Sequence, residues 1–219
     1  MEMENMTTQF RIEKDSLGEV QVPCDALYGV QTVRATQNFP ITHLRTHPAM
    51  IRSLGMIKKA CAMANHECGH LDDERTGYII AACDEIIQGK LDCWFITDVI
   101  QGGAGTSTNM NANEVVANRA AQLAGKALGV YDYIHPNDHV NFGQSTNDVF
   151  PTAGKLTALF LVEDLLEELM LLQEALLDKS IEFNDVIKLG RTHLQDAVPI
   201  RMGQEFHAFA TAIVRDIRR

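Results

Sequence analysis

Residues 152–182, TAGKLTALFLVEDLLEELMLLQEALLDKSIE, constrain the fold more than any other stretch of the chain. Val162, Leu165, Leu166, Leu169, Leu172 and Leu176 recur at threes and fours, and Asp164, Glu167, Glu168, Gln173, Glu174 and Asp178 fill much of the remainder. That is the period of an amphipathic helix. Thirty residues of helix reach about 45 Å, more than a single small domain needs. The natural place for such a rod is a bundle of long helices, within one chain or shared between subunits.

The rest of the chain agrees with a helical protein. After Pro48, the residues Met50, Ile51, Leu54, Ile57 and Cys61 form one helical face. A further helix is expected from about Asp72 to Gln88, with Gly89 as its stop signal. Residues 10–23, FRIEKDSLGEVQVP, hold two short runs around Leu17-Gly18 and predict a small hairpin. The expected fold class is therefore all-α, mostly helical with a small N-terminal β-hairpin. An N-terminal domain is expected over 1–147, and the start of a central helical bundle over 148–219. At the end, Phe206, Phe209, Ile213 and Ile217 still keep helical time with no glycine or proline to close them, so the chain reads as a fragment cut within a helix.

Charge narrows the partners. With 29 acidic against 19 basic residues the formal net charge is -10, which argues against nucleic acid. A small anionic ligand stays open, because a local site can oppose the global charge. The start, MEMENMTTQF, lacks the basic opening and apolar run of a signal peptide. No segment approaches the roughly 18 apolar residues of a membrane span. Cys24, Cys61, Cys68, Cys83 and Cys93 show no CxxC spacing and are odd in number, which fits reduced thiols in a cytoplasmic protein and no metal site.

Three polar clusters carry the functional signal. The first, GGAGTSTNMNANE at 102–114, delivers Thr106, Ser107 and Thr108 to a helix start. It matches neither the dinucleotide fingerprint nor the phosphate loop. One hydroxyl suffices to cap a helix, whereas three followed by Asn109, Asn111 and Asn113 exceed that need and favour a ligand site. In the second, HPNDHVNFGQSTNDVFP at 135–151, Ser145 and Asp148 have capping-box spacing ahead of the rod. A helix start with added hydroxyls cradles a carboxylate as readily as it caps. The third, GRTHLQDAVPIRMGQEF at 190–206, places Thr192 and His193 in an expected loop between helices, with Pro199 marking the next helix start. His193, beside a threonine and an arginine, is a candidate donor to an anion. Hydroxyls, amides and one imidazole suit a carboxylate substrate and the charge that develops on it.

From about Phe10 onward these residues resemble the aspartase/fumarase superfamily, whose motif regions the three clusters match. GGAGTSTNMNANEV and NFPIT at 38–42 look like its ammonia-lyase branch acting on aspartate, while FGQSTNDVFP is as fumarase-like as aspartase-like. The resemblance implies conversion of L-aspartate to fumarate and ammonia through an aci-carboxylate, with no organic cofactor. It implies a homotetramer that takes a small dicarboxylate (aspartate or fumarate). The charge and the lack of an apolar span add that no nucleic-acid or membrane partner is expected, and the thiols add a cytoplasmic setting. Gly105 and Thr106 would bind substrate, with Ser145, Thr146 and Asn147 contacting carboxylate and amino group. Thr192 and His193 would complete the pocket from another chain, His193 in a supporting catalytic role. His135, Asn137 and Asp138 match a secondary anion site. The family's glycine-serine-serine loop, with its serine base, is expected beyond residue 219, so the fragment alone is expected to be inactive. The alternatives are a class II fumarate hydratase, another lyase acting on a succinyl-type substrate, and a non-catalytic assembly fragment.

Overall fold

The computed structural model describes residues 9–219. Most of the start read above as leaderless, residues 1–8, lies outside the described residues. The chain forms two compact units that meet at Ala158/Leu159.

The first unit opens with the expected hairpin, β1 (Phe10–Asp15) and β2 (Gly18–Pro23), paired from Phe10↔Pro23 to Asp15↔Gly18. Four helices follow: α1 (Val30–Asn38), α2 (Pro48–Glu67), α3 (Asp73–Ile87) and α4 (Thr106–Leu123). The α2 face read from the sequence is the packed one, with Ile51, Leu54 and Ala62 buried and Met50 and Ile57 against the same core. Asp72 caps α3 by accepting from the Arg75 amide at 2.9 Å, and Gly89 beyond its end takes a left-handed φ of 75°.

Helix α4 is buried along most of its length. Val115, Val116, Ala117 and Ala120 fill the apolar core, but Thr108, Asn109, Asn111, Asn113, Glu114 and Asn118 are equally buried. Buried polar groups need partners, and these side chains find most of them in neighbouring segments. Asn111 accepts from Ile96 N at 3.0 Å and donates to Trp94 O at 3.0 Å. Asn118 donates to Leu27 O at 2.9 Å and accepts from Gly129 N at 2.8 Å.

Glu114 does more. Helix α1 has no acidic residue in its first turn, and its N-cap, Gly29, has no side chain to offer. The Glu114 carboxylate accepts from Gly29 N (2.8 Å), Gln31 N (2.8 Å), Thr32 N (3.1 Å) and the Thr32 hydroxyl (2.6 Å), and Glu13 of β1 accepts from Val30 N at 2.9 Å. Two distant carboxylates thus satisfy the free amides of a helix start and meet its positive end. Burial pushes the Glu114 carboxyl up, against the hydrogen bonds that hold it down. A Cβ on Gly29 would sit 2.2 Å from the Tyr131 hydroxyl and 2.7 Å from Glu13, so only glycine lets both groups close in.

The long helix, α5 (Thr146–Glu182), starts earlier than its leucine period, running through Pro151. Its first turns belong to the first unit: Val149 and Ala153 are buried there, and the Thr157 and Ser53 hydroxyls lie 3.0 Å apart. Pro151 has no amide hydrogen for the carbonyl of Asn147, a gap that a helix tolerates near its start.

The second unit holds the remainder of α5, then β3 (Ile187–Thr192), β4 (Gln195–Arg201) and α6 (Met202–Arg218). Its second hairpin corrects the sequence reading. Thr192 ends β3, and His193-Leu194 form a two-residue turn instead of a loop between helices. Pro199 lies in β4 opposite Leu189, and the helix begins at Met202. A two-stranded ribbon is all edge, where a proline is tolerated. Within α5, Val162, Leu165 and Leu172 of the predicted stripe are exposed, as are Leu161 and Leu171 beside them.

The first unit also buries a charge. Lys58 of α2 is fully enclosed, and its ammonium donates to two amide oxygens, Asn141 Oδ1 at 2.8 Å and Gln144 Oε1 at 2.9 Å. Neutral partners compensate only part of the lost hydration, and burial pushes its pKa down from 10.5 to about 8. The folded protein then holds fewer protons than the unfolded chain between those values. Stability should therefore rise with pH across that window, by about 3 kcal/mol from this group. Urea unfolding of wild type and Lys58→Met at several pH values measures it: the rise should be absent from the variant, and parallel curves would refute it. For the α1 start, Glu114→Gln should cost about 3 kcal/mol in the same assay, since two of its carboxylate acceptors become one acceptor and a donor facing donors. A loss below about 1 kcal/mol would mean that packing alone holds α1.

Candidate active site

The glycine stretch turns the chain sharply into α4. Gly105, the N-cap, has φ 87°, and a Cβ there would stand 2.4 Å from the Phe150 ring. Glycine is required on both counts. No side chain caps this helix start. Among the described residues the Thr106 and Ser107 hydroxyls have no hydrogen-bond partner, so the capping explanation does not account for them. Thr108 behaves differently. Its amide donates to Gln101 Oε1 at 2.7 Å, its hydroxyl accepts from Gln101 Nε2 at 2.7 Å, and it lies 3.1 Å from the Thr97 hydroxyl. Gln101 and Thr108 therefore clasp the base of the loop, leaving Thr106 and Ser107 at its rim.

Asp98 fixes the neighbouring segment. Its carboxylate accepts from Thr42 N, the Thr42 hydroxyl and His43 N (each 2.7 Å), from Ile100 N at 2.8 Å and from Ile41 N at 3.2 Å. Burial pushes this carboxyl up, but hydrogen bonds from Thr42, Ile100 and His43 outweigh it and hold the group well below the usual carboxylate range. The NFPIT segment is thereby tied to the approach of the glycine loop.

The second cluster meets the first. Asn109, one turn into α4, donates to the Thr146 hydroxyl at 3.0 Å. Ser145 accepts from Asn147 N at 3.2 Å, so its hydroxyl does cap α5. A cleft of about 440 Å³ runs between Val99–Gly105 and Phe150-Pro151. A smaller one of about 200 Å³, lined by Gln31, Arg34, Asn38, Thr106 and Ser107, opens between α1 and the α4 start. Asn109 thus ties Thr146 at the start of α5 to α4, whose start carries Gly105 and Thr106, while Ser145, Thr146 and Asn147 line neither cleft. Arg34, which the sequence reading did not single out, lines the same cleft as Thr106, its guanidinium paired twice with Asp15 at 2.8 Å. Its place just before NFPIT was the available signal.

The remaining candidates occur in other segments. His135 Nδ1 accepts from the amides of Asn137 and Asp138, both at 3.2 Å, and so caps the short turn Pro136–Val140. An ion pair with Asp138 at 3.4 Å would need a proton on that same nitrogen; two amides aimed at it make Nδ1 an acceptor. The Asn137 and Asp138 side chains are exposed. Thr192 and His193 occur in the second unit, exposed at the hairpin turn. His193 and Leu194 have φ of 50° and 61°, the left-handed values of a tight hairpin turn. Among the described residues no cluster of His, Cys, Asp and Glu could hold a metal ion, and no helix is long and apolar enough to cross a membrane.

Comparison with known proteins shows the family. Residues 18–219 match the model of the lyase family. An aspartate ammonia-lyase of a Bacillus species is 58% identical over 214 residues, covering 98% of this chain and 46% of that enzyme. A class II fumarate hydratase of Halobacterium salinarum is 52% identical over 215 residues, covering 98% and 46%. The crystal structure of fumarate lyase:delta crystallin from Brucella melitensis superposes with a TM-score of 0.87 at 51% identity, covering 96% of this chain and 50% of that one. The chain thus spans about half the length of the relatives it matches. From its matched residues, its helical fold and these likenesses, the chain belongs to the lyase family, within the aspartase/fumarase superfamily.

Proposed function

We propose that the chain is the carboxylate-holding part of a cytoplasmic ammonia-lyase that converts L-aspartate to fumarate and ammonia without an organic cofactor. The observation that carries this reading is the Asn109–Thr146 hydrogen bond, which sets the hydroxyl-bearing starts of α4 and α5 side by side. Thr106, Ser145, Thr146 and Asn147 then face one small ligand with donors, and Gly105 lets the backbone approach it. Removing a proton beside a carboxylate creates a dianionic aci-carboxylate, and donors already in place stabilise that charge without reorganising. Expulsion of ammonia from the neighbouring carbon yields fumarate. Thr192 and His193 join the pocket from another copy in a homotetramer. His193 donates to the developing charge. His135, Asn137 and Asp138 form a secondary anion site. The 52% identity to a fumarate hydratase supports a second reading, water exchange between malate and fumarate at the same donors.

Ultraviolet detection of fumarate made by the full-length protein separates the two. Fumarate from L-aspartate supports the first reading, and fumarate from L-malate alone would replace it with the second. Thr106→Val keeps shape and deletes one donor to a charged group, so kcat/KM should fall by about one to two decades with the melting temperature unchanged. If only the melting temperature falls, the glycine-hydroxyl stretch is structural.

The exposed apolar residues of α5, among them Leu165 (54% exposed), Leu171 (60%) and Ile181 (77%), are the surface that other copies would cover. Analytical ultracentrifugation of the full-length protein at micromolar concentration should give a tetramer, and a monomer would refute the shared bundle.

A further inference from the structure

Asn109 is 1% exposed and is not among the residues placed against the substrate. Its amide nitrogen lies 3.0 Å from the Thr146 hydroxyl and 3.3 Å from Asn141 Oδ1. Which end of an amide is nitrogen is normally an assignment from the network, and here the network leaves one choice. The Lys58 ammonium can only donate, and it lies 2.8 Å from Asn141 Oδ1, so that atom is the oxygen. Asn141 Nδ2 accordingly donates to the Gln144 carbonyl at 3.1 Å. The atom of Asn109 facing Asn141 Oδ1 must then be a donor, and the same nitrogen faces Thr146.

The consequence falls on the Thr146 hydroxyl. Receiving a hydrogen bond from Asn109, it keeps its own proton free to be given elsewhere. With Asn109 reversed, that proton would turn inward and a lone pair would face the site. The opposite end of the amide shows that this orientation is imposed: Asn109 Oδ1 is buried without a hydrogen-bond partner among the described residues. Reversal would pair that oxygen with the Thr146 hydroxyl, but would set it against the oxygen of Asn141.

We propose that Asn109 is a positioning residue that fixes the Thr146 hydroxyl as a donor toward the substrate carboxylate, its own orientation dictated through Asn141 by the Lys58 ammonium. This rests on the reading of Thr146 as a substrate contact. Asn109→Asp preserves shape but offers only acceptors, so it draws the Thr146 proton inward. In the full-length protein it should lower kcat/KM for L-aspartate about tenfold or more, with KM raised and kcat lowered, because the donor serves the bound carboxylate and the charge that develops on it. Asn109→Ala, which removes the donor without adding charge, should act in the same direction and covers the case in which the aspartate variant fails to fold.

The decisive arm repeats both substitutions in a Thr146→Val background. If Asn109 acts through the hydroxyl, they lose their effect there. Losses that persist undiminished in that background, or no loss in the wild-type background, would overturn the proposal. If Thr146→Val itself leaves KM and kcat unchanged, the substrate-contact reading has failed and the proposal falls with it. That outcome is distinct from the other two.

Discussion

A helix buried on a polar face needs partners for most of that face, and α4 imposes this requirement on the whole first unit. An unpaired buried amide or carboxylate costs about as much as several well-formed hydrogen bonds return. The segments around α4 are therefore held where its side chains need them. Asn111 holds the 94–96 stretch, Asn118 the 27 and 129 loops, Glu114 the α1 start, and Asn109 the beginning of α5. Apolar contacts around Val115 and Val116 supply the driving force, but they are non-directional. The polar partners are what fix position.

The motif that looks most like a ligand site is accordingly divided in its duties. Within 106–114, the side chains at the rim of the loop are unengaged, while those one turn further in are committed to the protein itself. Thr106 and Thr108 have the same chemistry, yet Thr108 is clasped by Gln101. Two residues of helix separate a group available to a ligand from one that fixes the loop.

Much of the fold was legible from spacing and stop signals. The first hairpin, the α2 face, the α3 bounds and the long rod all followed from them, although part of the rod's leucine stripe is exposed in this chain. The second hairpin did not. A two-residue hairpin turn usually advertises itself with Asn-Gly or Asp-Gly, because its central residues take positive φ; His193-Leu194 adopts that geometry without either signal. Pro199 then read as a helix start, a role it fills as readily as a place on an edge strand. The residue types of the candidate site were legible from Thr106, Ser145, Thr146 and Asn147. The inward asparagines were not, since their partners at 27, 94, 96, 129 and 141 are distant in sequence and no local pattern reports them.

The capping of α1 bears on the order in which the chain folds. Nine residues make too short a helix to persist alone in water, and the carboxylate that satisfies its first turn arrives from 82 to 85 residues downstream. Contacts of such sequence separation form only after the intervening chain has been closed into a loop. Helix α1 is therefore expected to complete late in folding, and during synthesis its first turn lacks the Glu114 carboxylate until α4 has emerged.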